Sequence, residues 1–275
     1  MPPSDGGQNG VGRFAGFRPG GRVWAVGSVN GDAARLAALH DALRGGRFEP
    51  DDRIVYLGNV LGPSGAVSET LAELLDFRCA VLARPGGMAC DVAFLRGSQE
   101  EMWQKLLQLQ FAANPGEVLQ WMLRQGLGPT IAAYGADPEQ GLAAARQGAL
   151  ALTRWTGLLR QAVNTAPGHR AFFSGLRRAA LVEGGAVLFV HAGLDPARPL
   201  EVQGDRFWWH EAGFHGIAEP YGAFRRIVRG FSRKHDGLVE GPFTLSLDGG
   251  AGLGGQLVAA CVDATDGRVL DALAV

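Results

Sequence analysis

A chain of 275 residues with 47% hydrophobic and 19% charged positions has a globular composition, long enough to bury a sizeable core. Its 26 basic and 27 acidic side chains leave a formal charge of −1, which excludes the basic field of a nucleic-acid or membrane-surface binder. No apolar run reaches the roughly 18 residues that a membrane helix needs.

The first 20 residues, MPPSDGGQNGVGRFAGFRPG, are rich in Gly and Pro and lack the apolar core of a signal peptide. They are expected to form a flexible tail ahead of a single domain over 21–275. RVWAV (22–26) predicts a strand and DAARLAALHDAL (32–43) a helix with apolar residues at helical spacing. DRIVYLG (52–58) and AVSETLAELLDF (66–77) repeat that pair, and RCAVLAR (78–84) and DVAFLRG (91–97) are predicted as further strands. Strands that end in glycine turns and alternate with helices predict βαβ units and a largely parallel inner sheet.

Residues 99–177 read instead as a helical insertion packed beside the sheet, punctuated by Pro115, Pro129, Pro138 and Pro167. Its MWQKLLQLQF stripe has the spacing of a core-facing helix. Strands return in RRAALVEG, AVLFVHAG, FRRIVRGF, FTLSL, QLVAACVD and RVLDALAV, joined by turns short enough to predict an antiparallel C-terminal part. Cys79, Cys90 and Cys261 are scattered, with neither metal spacing nor a disulfide framework, which points to a cytoplasmic location.

Four strand-exit turns carry the chemistry: AVGSVNG, YLGNVLG, LRGSQEE and FVHAGLDP. With RIVRGFS (226–232) and LDGGAGLGGQL (247–257) in the same order, they resemble the calcineurin-like metallophosphatases, and most of all the bacterial protein-phosphatase and diadenosine-tetraphosphatase branch. The resemblance covers about residues 22–274. It implies an α/β fold with a two-layer β-sandwich flanked by helices, and a site holding two divalent metals such as Mn or Fe/Zn. Two metals about 3.5–4 Å apart would activate a water and clamp a phosphate.

Carried over position by position, the resemblance places neutral residues where that family keeps ligands. Ser28 stands at the first Asp, Asn30 at the following His, Asn59 at the metal-bridging Asp and Ser98 at the Asn ligand. Gln99 stands at the proton-donating His, and Arg229 and Phe231 at the late His positions. His191 alone keeps its identity, together with Glu100 and the glycines Gly27, Gly31, Gly58, Gly97 and Gly193. Two dications 3.5 Å apart repel by about 19 kcal/mol at an effective dielectric of 20. Ser28 and Asn59 bring no charge to offset that, so no metal pair and no catalytic residue are expected.

Plain readings stand beside these. Ser28, Asn30 and Asn59 are turn formers or ligand contacts. His191 is a backbone-bonded relic or a ligand contact, and Arg229 a surface strand residue or an anion contact. FWWHE (207–211) either packs the insertion on the sheet or offers an aromatic binding surface. DGGAGLGG reads as a turn beside the old metal site, and RRIVRGFSRKH as a basic solvated face.

The expected function is that of a pseudophosphatase whose cleft binds a protein or a small anionic or nucleotide ligand. Ser28, Asn30, Asn59, Ser98, Gln99, His191 and Arg229 would line its pocket. One alternative is an active phosphoesterase with an altered metal set that recruits Asp32 and Glu100. Another is an interaction subunit that docks through the insertion.

Overall fold

The structure is a computed structural model and describes residues 13–275. Among the described residues eleven strands form two sheets that lie face to face, each covered on its outer side by helices. In chain order the first half runs β1 (Phe14–Phe17), β2 (Arg22–Val26), α1 (Ala33–Ala42), β3 (Arg53–Tyr56), α2 (Val67–Leu82) and β4 (Val92–Phe94). Helices α3 (Ser98–Leu106), α4 (Pro115–Arg124), α5 (Gly128–Ala133), α6 (Pro138–Gln147), α7 (Ala149–Thr165) and α8 (His169–Gly175) follow. The second half holds β5 (Ala179–Val182), β6 (Val187–Val190), α9 (Arg206–Trp209), α10 (Glu211–His215), β7 (Arg226–Arg229), β8 (Gly237–Glu240), β9 (Thr244–Asp248), β10 (Val258–Asp263) and β11 (Val269–Ala274).

One sheet has the order β11-β10-β2-β3-β4 and the other β1-β5-β6-β7-β9-β8. Strand periodicity builds three apolar layers from these sheets. Trp24, Val26, Ile54 and Tyr56 face the helices, while Val23, Ala25 and Val55 face the opposite sheet. Phe189, Val228 and Leu247 meet them from the other side. Leu188, Val190 and Ile227 point outward onto Phe207, Trp208 and Phe214 of α9 and α10. Strands buried on both faces explain why RVWAV, RIVY and VLFV are continuous apolar runs.

Several expectations are corrected. Residues 78–84 are not a strand: α2 runs on to Leu82, because Leu71, Leu74, Phe77 and Val81 keep a helical stripe in the core. The expected tail over 1–20 lies outside the described residues up to residue 12, but Phe14–Phe17 is a strand paired in parallel with β5. The C-terminal part is mixed rather than antiparallel. The β5–β6, β8–β9 and β10–β11 pairs are antiparallel, but β7 runs parallel to both β6 and β9. Within the expected helical insertion, α6 and α7 are separated at Gly148, whose φ of 105° is left-handed.

Met102, Trp103, Leu106 and Leu109 of the MWQKLLQLQF stripe enter the helix-side core, whereas Phe111 is exposed. Phe207 and Trp208 pack on the outer face of the β1-to-β8 sheet, and Trp209 leans on Trp121 of α4 at 6.0 Å. Among the described residues no helix is long and apolar enough to cross a membrane.

Candidate functional site

The strand exits meet at one end of the two sheets, beyond the carboxyl ends of β2, β3, β4, β6 and β7, where α/β folds place their ligands. Backbone bonds hold these turns together. The Gly27 N–H donates to Val258 O at 2.9 Å, and the Ser28 N–H to Gly230 O at 2.9 Å. Val29 and Asn30 both donate to Asn59 O, at 3.0 and 2.7 Å. Asn30 and Asn59 have φ of 54° and 52°. Asn tolerates this left-handed region better than other residues with a Cβ, so turn geometry alone favours Asn at both positions.

Each predicted site residue is already engaged. The Asn59 side-chain Oδ1 accepts from Ser98 Oγ at 3.1 Å and from the Gln99 backbone N–H at 3.0 Å. Ser28 Oγ donates to Gly230 O at 2.8 Å, and Asn30 Nδ2 donates to Ala251 O at 3.0 Å. Gln99 Nε2 donates to Gln125 O at 2.7 Å. Arg229 faces away from the cleft, on the side of β7 that carries Ile227. Its Nε donates to Ser246 Oγ at 3.0 Å, and its guanidinium lies 4.1 Å from the centre of the Phe214 ring. The surface-strand reading of Arg229 is corrected as well, because the residue is 2% exposed.

His191 is wholly buried, hydrogen-bonded through Nδ1 to Leu57 O at 2.8 Å, and stacked against Phe231 with ring centres 5.3 Å apart. The carbonyl can only accept, so Nδ1 carries the proton and Nε2 is a bare acceptor without a partner among the described residues. Burial pushes the ring down to about 4, opposed by the bond to Leu57. A base whose folded pKa lies below its unfolded value of about 6.5 stabilises the protein above pH 6.5 and loses that contribution as pH falls toward 4. The expected loss is about 3 kcal/mol by pH 4. Burial pushes His40 down in the same direction, to about 3. The measurement is therefore a comparison of denaturant midpoints between pH 7.5 and 4 for wild type and His191→Asn, which keeps a donor toward Leu57. The variant should show the shallower fall, and equal slopes would refute the assignment.

The two carboxylates open to recruitment are also occupied. Glu100 is wholly buried, and its Oε1 accepts from the Leu61 N–H at 2.9 Å. Its Oε2 accepts from the N–H groups of Asn59 at 2.9 Å and Gly97 at 2.8 Å. Burial raises its pKa, and these backbone bonds oppose the rise. Asp32 caps α1 through the Arg35 N–H at 3.1 Å and accepts from the Gly252 N–H at 3.2 Å. Among the described residues no three His, Cys, Asp or Glu side chains gather as a metal site. The donor set does not fit a pair of divalent metals. The positions that the resemblance gives to ligands hold neutral amides and hydroxyls, with one imidazole covered by a phenyl ring. The Glu211 carboxylate and His235 imidazole on the cleft lining are engaged with Ser232, Arg233 and Asp248, whereas a pair of hard cations needs several free anionic oxygens.

A cavity of about 170 Å³ opens above these turns. Asn30, Asn59, Ser98 and Gln99 line it, whereas Ser28, His191 and Arg229 do not. Trp208, Trp209 and Phe231 supply aromatic walls, and Arg233, His235 and Leu253 stand on its lining from the other side. The glycine-rich turn and the basic segment of the sequence thus both reach the cleft. Gln125, Pro63, Met102 and the carboxylate of Glu211 complete the lining, and nothing in the sequence marks them, because folding alone brings these segments over the turns. Glu211 Oε1 accepts from the Arg233 N–H at 2.9 Å and from Ser232 Oγ at 3.1 Å, which fixes the loop after β7 against α10.

No family model matches the chain, and no curated sequence does either. Solved structures do. A crystal structure of a provisionally designated diadenosine tetraphosphatase superposes with a TM-score of 0.52 at 18% identity, covering 96% of this chain and 98% of that one. A protein serine/threonine phosphatase from Saccharomyces cerevisiae superposes at 0.50 with 13% identity, covering 95% of this chain and 82% of that one. The chain has the calcineurin-like metallophosphatase fold.

Proposed function

We propose that the protein is a pseudophosphatase, a metallophosphatase-fold protein that binds a small ligand in its cleft without a metal pair. The observation that carries this reading is the state of Asn59, at the position the resemblance gives to the bridging carboxylate. Its side chain is neutral, and its Oδ1 already accepts two hydrogen bonds from Ser98 and Gln99. Phe231 supports the reading, since its ring lies against the imidazole that a second ligand would have to approach. The engagement of Asp32 and Glu100 with backbone N–H groups argues against an altered metal set. Exposed, unpaired thiols at Cys79 and Cys90 suit a reducing, cytoplasmic compartment.

The test is metal analysis after dialysis against Mn, paired with hydrolysis of an aryl phosphate in added Mn. The expected result is substoichiometric metal and no turnover above that of His191→Asn. Two equivalents of retained Mn, or hydrolysis that His191→Asn abolishes, would overturn the proposal in favour of an active phosphoesterase.

A further inference from the structure

Away from the cleft, a second cavity of about 440 Å³ is lined by β1 and β4, the edge strands of the two sheets, and by α2 and α8. That volume lies within the roughly 300–1,000 Å³ of small-molecule sites. Its wall is largely apolar: Phe14 of β1, Val92 and Phe94 of β4, Leu75 of α2 and Phe172 of α8. The Phe94 and Phe172 rings pack 5.5 Å apart between centres and are almost fully buried, which fixes that part of the wall. Phe14 and Leu75 keep some of their surface open.

Charge on this lining has one sign. Arg78 and Arg177 stand on it, and among the described residues no acidic side chain does. Arg177 spends only Nη1, on the carbonyls of Gly175 and Leu176 at 2.9 and 3.4 Å. Its other two guanidinium nitrogens and all three of Arg78 have no partner among the described residues, and none of them is buried. Asp91, next to the lining residue Cys90, is already paired with Arg18 at 2.9 Å. We propose that this cavity binds an apolar monocarboxylate, a short alkyl or aryl chain ending in one carboxylate. The chain lies against the phenyl rings, and the carboxylate pairs with the guanidiniums on the lining, whose planar forks match it. No residue of the cleft lines this cavity, so the inference is independent of the pseudophosphatase reading.

Calorimetric titration of the full chain with octanoate tests it, with octylamine as the probe of opposite charge and butanoate as the short one. Octanoate should bind saturably. Octylamine and butanoate should each bind at least about tenfold more weakly, the second because each buried methylene adds about fourfold. Joint replacement by Arg78→Gln and Arg177→Gln should erase the preference for octanoate over octylamine. Should that variant fail to fold, the unmodified chain still locates the ligand through its thiols. Cys90 lines the cavity, whereas Cys79 is equally exposed but off the lining. Octanoate should slow alkylation of Cys90 by iodoacetamide severalfold and leave Cys79 unchanged, as read on peptides by mass spectrometry. No binding of octanoate at millimolar concentration, equal binding of octanoate and octylamine, or binding that leaves Cys90 as reactive as before overturns the proposal.

Discussion

Gly27→Ala is expected to abolish stable folding, at a cost above about 4 kcal/mol, in the range reserved for a named steric or burial failure. A Cβ on Gly27 would lie 1.8 Å from the carbonyl oxygen of Leu247 in β9, on the opposite sheet. Neither side has room to retreat. Gly27 is fixed through its N–H to Val258, and Leu247 is wholly buried in the layer between the sheets. A rotamer change offers no relief, because the clash is with backbone. Gly45→Ala serves as the control, because a Cβ there meets nothing within 4 Å. It should change stability by less than about 1 kcal/mol. Urea midpoints of the two variants, with circular dichroism of Gly27→Ala in buffer, make the comparison. A folded Gly27→Ala with a near-native midpoint would contradict the close approach of the sheets.

Glu100→Ala carries the second largest expected effect. Its carboxylate satisfies three buried N–H groups, those of Asn59, Leu61 and Gly97. Stranding a buried donor costs about 1–3 kcal/mol, so the loss of all three should cost at least about 3 kcal/mol. Glu100→Gln keeps the shape and one acceptor but turns an NH₂ group toward N–H donors, so its cost falls between wild type and Ala. The order wild type, Gln, Ala in urea midpoint is the expected result. Because Glu100 anchors both the turn after β3 and the start of α3, Ala should also weaken any ligand held by Asn59 and Gln99. A Glu100→Ala protein as stable as wild type would show that the three N–H groups find other partners.

Much of this architecture was legible in the residues. The runs RVWAV, RIVY and VLFV are apolar at every position because both faces are covered, and each ends at a glycine turn that reaches the cleft. The gathering of Asn30, Asn59, Ser98 and Gln99 followed from the order of those turns. Residues 78–84 misled because a short apolar run fits a strand as well as a helix; the stripe through Leu74, Phe77 and Val81 was the better guide. The direction of Arg229 was recoverable from parity. In a strand it must share the face of Ile227, which is apolar and turned to α10, so its guanidinium lies on the Phe214 ring rather than on the cleft lining. The placement of Gln125 had no local signal, since it depends on how α4 crosses the turns. The strand Phe14–Phe17 is short and contains glycine, and its pairing with β5 lies 165 positions away in the register Phe14 to Ala179.

The floor of the cleft is stitched across both sheets: Ser28 to Gly230 twice, Gly27 to Val258 within its own sheet, and His191 to Leu57. Such seams leave no hinge by which the halves could breathe apart. Admission and escape of a guest then fall to the exposed rim: Trp209, which leans on Trp121, Leu253, and Arg233, whose exposed guanidinium is ion-paired to Glu211 at 3.7 Å. Exposed side chains of this kind change rotamer in picoseconds to nanoseconds. Exchange should therefore be quick, with the scaffold acting as a rigid vessel beneath a restless brim.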